Sequence, residues 1–316
     1  MSNNNVAFVF PGQGSQKIGM LASAHEAFQS VRDAFSEASD VLGYDMWELI
    51  CNGDQADLNL TETTQPVLLT SSVALWRAWL ESGGQQPSVM AGHSLGEFSA
   101  LVCAGAVEFS DAVELVRKRG AFMQSAVPVG EGAMAAIIGL DDEAINRICA
   151  EVASATSSVL SAVNYNSPGQ VVIAGHTAAV EAANVKLKEA GAKRAMPLPV
   201  SAPFHTELMM PAGVKLEEVM AELAFSAPSI PVIHNVNGLP ESDPNTIRKL
   251  LGEQIHSPVR WVNCVEAMVK MGAIRVVECG PGKVLSGLNR RIDDSLLSFS
   301  IEDPDRLQQT LSDLSI

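Results

Sequence analysis

Gly92-His93-Ser94-Leu95-Gly96 sets a serine between two glycines. It follows Pro87-Ser88-Val89-Met90-Ala91, which reads as a short buried strand, and it opens an apolar helical run from Leu95 to Val107. Strand, sharp turn and helix in that order make a nucleophile elbow. The turn strains the backbone of its central residue and crowds the neighbours, so residues without a Cβ are required two before it and two after it. The strain lifts Ser94 Oγ out of the sheet and aims the N–H of Leu95 at whatever the serine attacks. The chemistry this suits is acyl transfer. A chain with 24 glycines can produce Gly-x-Ser-x-Gly by chance, and the flanking strand and helix are what give this one its meaning.

Working outward, Val6-Ala7-Phe8-Val9-Phe10 is a continuous apolar run ending at Pro11-Gly12, as for a central parallel strand entering a loop. Helical patterns fill the chain to about residue 83, notably Gln65 to Leu80, and a second helix is predicted from Ser110, a plausible N-cap, to Val127. Strands separated by helices predict a doubly wound α/β layer structure. From about residue 130 the rhythm changes. Strands are predicted at Met134–Ile138, Val159–Val163, Gln170–Ala174 and Arg194–Leu198, with helices at Asp141–Ala153 and Thr177–Ala190 and a turn at Asn166-Ser167-Pro168-Gly169. That order is βαββαβ, the ferredoxin-like unit. The chain then returns to the first layer system through Ser201-Ala202-Pro203-Phe204-His205, a helix from Thr206 to Leu223, the apolar Ile274-Val276-Val277, and Glu278-Cys279-Gly280-Pro281-Gly282 before a helix near Val284 to Leu288.

At 316 residues, 47% hydrophobic and 18% charged, the chain can bury a substantial core. Its net charge of −15 excludes nucleic acid and anionic membrane as main partners, since both want a basic footprint. Any anionic ligand must then be met by a local cluster of Lys and Arg. Five scattered cysteines without a Cys-x-x-Cys pair suggest neither a disulfide framework nor a zinc site. Met1-Ser2-Asn3-Asn4-Asn5 lacks the basic residue that opens a signal peptide, and no apolar run approaches the ~20 residues that span a bilayer. A cytoplasmic protein is expected.

A serine hydroxyl is a poor nucleophile at neutral pH, so Ser94 needs a base, usually histidine. Six histidines are available. His25 and His176 are expected at the surface, and His234 and His256 lie in loop-like stretches without other chemical signals. His93 adjoins the nucleophile, but neighbours at an elbow diverge, which leaves it packing or a substrate contact. His205 stands where the chain returns from the βαββαβ unit, fixed by Pro203 and Phe204, and clefts between domains concentrate ligand sites. It is the favoured base. Leu95 N–H is one oxyanion donor, and Gln13, in Pro11-Gly12-Gln13-Gly14-Ser15-Gln16, is placed to supply the second at the strand carboxyl ends. Glu97, in the first turn of the elbow helix, is expected to complement the helix dipole.

Phe10-Pro11-Gly12-Gln13-Gly14-Ser15-Gln16, Gly92 to Glu97, Arg119-Gly120-Ala121-Phe122-Met123-Gln124, Asn166 to Gln170, Phe204-His205 and Glu278 to Gly282 occur in a characteristic order and spacing. From about residue 6 to 292 the chain resembles the malonyl-CoA:acyl carrier protein transacylases of fatty acid synthesis. The resemblance implies that Ser94 is acylated, that His205 is general base and acid, and that the N–H groups of Leu95 and Gln13 form the oxyanion hole. It further implies that Arg119 holds the malonyl carboxylate and that the backbone carbonyl of Gln254 orients His205, a dyad without a third carboxylate. A guanidinium fork binds a carboxylate through two parallel hydrogen bonds, and in a dry pocket it rejects a neutral acyl chain that leaves its charge unpaired. Without the resemblance Arg119 would read as a surface residue of the Arg117-Lys118-Arg119 cluster. Phe204 resembles the bulky ring by which malonyl-selecting members crowd an α-methyl group, while Ala202-Pro203 departs from the His-Ala pair common in polyketide synthase domains.

The fold expected is therefore α/β: a large α/β-hydrolase-like domain with a parallel sheet, residues 1–128 and 200–316, and an inserted small ferredoxin-like domain, residues 129–199. The expected partners are malonyl-CoA and an acyl carrier protein, with no metal or bound cofactor, and the chain is expected to act as a monomer. Carrier proteins are generally acidic, and Lys186, Lys188, Lys193, Arg194, Arg275, Lys283, Arg290 and Arg291 are docking candidates by charge alone. Three rivals remain. One is a free-standing acyltransferase serving a polyketide synthase. A serine hydrolase (thioesterase or esterase) of α/β-hydrolase type predicts an Asp or Glu between serine and histidine and a histidine near the C-terminus. A carrier-binding scaffold without chemistry would not need the Ser94/His205 pair.

Overall fold

A strand covered on both faces has no polar side to show, and Val6-Ala7-Phe8-Val9-Phe10 is buried at every position. The computed structural model describes residues 5–200 and 202–315. The reading of the first residues as lacking an export signal therefore rests on positions 1–4, outside the described residues. In it β1 (Val6–Phe10) and the elbow strand β2 (Val89–Gly92) pair in parallel. The next four strands are β3 (Gly132–Ile138), β4 (Leu160–Ser167), β5 (Gln170–His176) and β6 (Arg194–Pro197). The last four are β7 (Val232–Ile233), β8 (Pro240–Glu241), β9 (Arg275–Glu278) and β10 (Leu297–Ser300).

Six of these form one sheet in the order β10-β9-β1-β2-β7-β8, parallel except for the antiparallel edge pair β7–β8. The period-2 alternation of β1 divides the core. Val6, Phe8 and Phe10 join the cluster that includes Leu68, Leu75 and Trp79 of the Thr61–Glu81 helix, while Ala7 and Val9 join Trp261, Val265 and Leu285 on the opposite face. Phe8 meets Trp76 and Trp79 edge-on, with ring centroids 5.3 and 5.4 Å apart. Helices cover both faces, which is the doubly wound arrangement expected.

The other four strands form an antiparallel sheet in the order β4-β5-β3-β6, built in chain order βαββαβ with helices at Asp142–Thr156 and Thr177–Glu189. One face holds its own core of Ile137, Ile145, Val171, Ile173 and Leu187. The other face does not meet solvent: Met134, Ala136, Val163, Val172 and Ala174 belong to the main core. A strand-like seam adds to this contact. Tyr165 N–H donates to Val259 O at 3.0 Å and Val259 N–H to Val163 O at 2.8 Å, beside a bulge in β4.

Several boundaries differ from expectation. The elbow helix stops at Cys103 rather than Val107, because the chain turns at Gly105 with φ 74°. The next helix begins at Phe109, with Glu108 at its cap and no side-chain cap bond, so Ser110 lies inside it. Asn166 and Ser167 belong to β4, and Pro168-Gly169 alone makes the turn. The stretch after His205 opens as a short 3-10 turn, Glu207–Met209, before the Met210–Ala221 helix. His25 is not a free surface residue: its ring stacks on Trp47 at 3.7 Å. Nor is His176, whose Nδ1 accepts from Val159 N–H at 3.0 Å.

The elbow glycines carry the closest approaches. A Cβ on Gly92 would strike the backbone of Gly96 and Glu97, and one on Gly96 would strike the Phe10 carbonyl. Backbone cannot swing aside as a side chain can. Gly92→Ala should therefore lose stability at the upper end of the ~1–3 kcal/mol typical of overpacking, whereas Gly287→Ala, on a helix where the new methyl meets nothing within 4 Å, should gain ~0.4–1 kcal/mol. Denaturant melts of the two variants against the parent check both signs.

Candidate active site

The end of β1 and the elbow are pressed together. His93 N–H donates to Phe10 O at 3.0 Å, and a Cβ on Gly12 would come within 2.5 Å of His93 O. Gln13 is thereby held beside the elbow, where it lines one cavity with Ser94 and Leu95. Ser94 itself has φ 51° and ψ −107°, outside the regions a serine ordinarily adopts. Asn235 clamps the strained turn: its Oδ1 accepts from Ser94 N–H at 2.7 Å, and its Nδ2 donates to Gly92 O at 2.7 Å.

Ser94 Oγ lies 2.9 Å from His205 Nε2. The opposite ring nitrogen, Nδ1, donates to the backbone carbonyl of Gln254 at 2.8 Å, so Nε2 is the unprotonated nitrogen and accepts from the serine hydroxyl. His205 is also held at a positive φ of 64°, with its N–H bonded to Ile255 O at 3.1 Å. Burial first, and the Arg119 charge second, push its imidazole down to about 3. Between pH 5 and 9 it is therefore a neutral base. Its partner is a carbonyl rather than a carboxylate, the feature that separates this dyad from the hydrolase triad.

Arg119 is not a surface residue of the Arg117-Lys118-Arg119 cluster but is 1% exposed. Its Nη1 donates to Gln65 Oε1 at 2.8 Å, and its Nη2 to Gln254 Oε1 at 2.8 Å and to Ser94 Oγ at 3.2 Å. Phe98 lies against the guanidinium, 5.2 Å from its ring centroid. Burial lowers the arginine to about 10, partly offset by the charge of Glu97. A monovalent cation thus stands beside the nucleophile, held by neutral amides. His93 turns away from Ser94, as neighbours at an elbow do, and its Nε2 pairs with Asn166 Oδ1 at 2.8 Å. Burial lowers its pKa as well, against the pull of that bond. Phe204, 8% exposed, closes the wall beside His205.

These residues border a cavity of about 480 Å³, with Gln13, His93, Ser94, Leu95, Arg119, Phe204 and His205 all on its wall. A larger hollow of about 690 Å³ lies between the Val284–Ile292 helix, β10 and the Pro304–Leu314 helix, but its described lining residues include no histidine that could serve a nucleophile as base. All eight predicted site residues meet at the first cavity or touch its wall through His205 or Arg119. No group of three His, Cys, Asp or Glu side chains suited to a metal occurs among the described residues.

Glu97 and His234 are corrections. Glu97 is fully buried rather than simply facing the helix dipole, and its carboxylate accepts from His234 Nδ1 at 2.7 Å, Asn235 N–H at 2.9 Å and Gln254 Nε2 at 2.8 Å. A charged residue within the apolar run of the elbow helix was the signal available, because such a residue is buried only with partners. Asn235, Gln65 and the side chain of Gln254 carry no such mark. Of the basic docking candidates, Lys186 and Lys188 occupy the last turn of the Thr177–Glu189 helix, while Arg291 reaches Gln170 Oε1.

The acyl transferase domain family matches residues 7–292. A malonyl CoA-acyl carrier protein transacylase of Salmonella typhimurium is 54% identical over 306 residues, covering 97% of this chain and 98% of that protein. The crystal structure of an acyl carrier protein S-malonyltransferase from Vibrio cholerae is 55% identical, with a TM-score of 0.95, and the match covers 97% of this chain and 99% of that one. A malonyl-transacylase solved in complex with a type II PKS acyl-carrier protein is 52% identical, with a TM-score of 0.96 over 98% of this chain and 99% of that one. A nucleophile elbow, a neutral histidine on its serine and a buried arginine fork, on a chain matched over 97% of its length at 54% identity, place the protein in the acyl transferase domain family.

Proposed function

We propose that the protein moves a malonyl group from coenzyme A to the phosphopantetheine thiol of an acyl carrier protein, by way of an ester on Ser94. The observation that carries the reading is Ser94 Oγ held between a neutral histidine at 2.9 Å and a buried guanidinium at 3.2 Å. The first makes the oxygen nucleophilic. The second offers a carboxylate the one cationic partner among the described residues of the cavity wall.

In the first half-reaction His205 Nε2 takes the hydroxyl proton as Oγ attacks the thioester carbonyl carbon. The tetrahedral oxyanion is received by the N–H groups of Leu95 and Gln13, each well-aimed donor being worth ~3–4 kcal/mol. Collapse breaks the C–S bond, and the leaving thiolate takes the proton from Nε2. The carrier thiol then repeats the sequence in reverse: it gives its proton to Nε2, attacks the Ser94 ester, and Oγ leaves with that proton. Throughout, the Gln254 carbonyl holds the tautomer and stabilises the imidazolium. Arg119 pairs with the free malonyl carboxylate, and Phe204 crowds a substituent on the α-carbon. The site needs no metal or bound cofactor in this scheme.

No helix among the described residues is long and apolar enough to cross a membrane. We place the activity in the cytoplasm, carried out by a monomer. The acceptor belongs to fatty acid synthesis; a polyketide carrier is a second reading, favoured by the 52% identical malonyl-transacylase solved with such a partner. Both carriers present the same thiol. A hydrolase reading is disfavoured by the carbonyl, rather than carboxylate, on His205 Nδ1.

Three outcomes test the scheme. Intact mass after exposure to malonyl-CoA should rise by one malonyl group in the parent and not in Ser94→Ala, and labelling of the alanine variant would end the mechanism. With His205 lowered to about 3, the pH profile of the acylation step should show no acid limb near 6.5, and imidazole NMR should find this ring neutral at pH 5. The same shift has a stability sign. The native state resists the proton, so its contribution is present above pH 6.5 and is lost as pH falls from 6.5 towards 3. Third, Arg119→Ala removes both the carboxylate partner and the penalty on a neutral acyl group. The ratio of kcat/KM for malonyl-CoA to that for acetyl-CoA should fall by ~10²-fold, the scale of a lost charge-assisted bidentate pair. A parent-like ratio would place carboxylate recognition elsewhere.

A further inference from the structure

The amide of Gln254 has one orientation that its surroundings allow. Its Oε1 faces Arg119 Nη2 at 2.8 Å, which can only donate. Its Nε2 faces Glu97 Oε2 at 2.8 Å and Ser94 O at 3.0 Å, both of which only accept. A flipped amide would set N–H against N–H and oxygen against carboxylate. Glu97 is fixed in turn by His234 Nδ1 and Asn235 N–H, and all four side chains are fully buried.

Beyond the scheme above, in which only the backbone carbonyl of Gln254 takes part, we propose that Glu97 and the side chain of Gln254 are positioning residues that aim Arg119. The chain runs carboxylate to amide to guanidinium. By fixing which end of the amide meets the arginine, Glu97 sets Gln254 Oε1 on one N–H of Nη2, and the other N–H of Nη2 is left to face Ser94 Oγ and the cavity. Gln65 does the same for Nη1 at 2.8 Å. Arg119 Nε has no partner among the described residues, so these two amides and Ser94 are the hydrogen-bond partners that orient the group, with the Phe98 ring packed against it. Glu97 also supplies negative charge one amide away, which keeps the buried guanidinium charged without touching it.

The inference rests on malonyl as the acyl group, and the experiment separates the two. First-order rates of Ser94 acylation by malonyl-CoA and by acetyl-CoA are measured by intact mass for the parent, Glu97→Gln, Gln254→Met and the double variant. Gln254→Met keeps the backbone carbonyl on His205 and removes the amide. Glu97→Gln can keep every hydrogen bond if His234 moves its proton to Nε2, and it removes only the charge. The malonyl-to-acetyl ratio should fall about tenfold to a hundredfold in Gln254→Met, as loss of one hydrogen bond to a charged group implies, and by less in Glu97→Gln. Because Glu97 acts through Gln254, the double variant should match Gln254→Met rather than add to it.

Equal loss with both substrates would show that the pair merely supports the elbow and would overturn the inference, as would a parent-like ratio in Gln254→Met. Should Glu97→Gln be too unstable to assay, Gln254→Met decides alone. A parent protein that takes no malonyl on Ser94 would sink the functional reading instead.

Discussion

The constraint on which the site depends is backbone on backbone: Gly96 against the carbonyl of Phe10, and Gly12 against the carbonyl of His93. Everything catalytic is referenced to that contact. It locks the end of β1 to the elbow, so the loop bearing Gln13 and the turn bearing Ser94 move as one body. Two chain segments more than eighty residues apart must present N–H groups to the same oxygen, and side-chain packing alone leaves more play than an oxyanion hole tolerates. Missing Cβ atoms remove that play. The cost appears as strain at Ser94, whose φ of 51° is held by the Asn235 clamp.

A second constraint is electrostatic. Arg119, Glu97 and His234 are all at or near zero exposure, where isolated charges are prohibitive and even paired ones contribute little net stability. Such a cluster persists because every member is bonded in a geometry that admits few alternatives. Here the bonds cross between the elbow helix, the loop after β7 and the end of the Pro244–Gln254 helix. Those segments also carry the nucleophile and the carbonyl that orients the base. Specifying the polar network thus specifies the relative placement of the catalytic groups.

How much of this was legible in the sequence follows from the range of each signal. The elbow, β1 and the βαββαβ order are local patterns, and the helix and strand periods that mark them survive folding unchanged. Ser94 and Leu95 come with the elbow. His205 could be favoured only by its place at a junction, and Gln254 and Arg119 came from the resemblance, since a backbone carbonyl leaves no mark in a sequence and an arginine among Arg117 and Lys118 looks solvated. Boundaries failed where tertiary contacts decide them: β4 continues through Asn166 because its seam with Val259 and its hairpin with β5 extend it past the apolar run. The short strands β7 and β8, two residues each, have no period to read. Asn235 and the Glu97 carboxylate act across more than 130 residues of chain, a distance at which residue type alone says nothing of partners.

The insertion of an amide between Glu97 and Arg119 then has a physical logic. A carboxylate in direct contact would form a bidentate pair with the guanidinium. That pair would satisfy the buried charge, and it would also fill the fork that a substrate carboxylate must enter. With no anion nearby, burial would favour loss of the proton or expulsion of the side chain from the core. One amide between them resolves the conflict. The carboxylate's field still reaches the guanidinium and raises its proton affinity against the cost of burial, while the hydrogen bond from Arg119 to Gln254 is to a neutral oxygen and occupies a single N–H. The fork is charged, oriented and incompletely satisfied, which is the state in which an incoming carboxylate gains the most and a neutral acyl group gains the least.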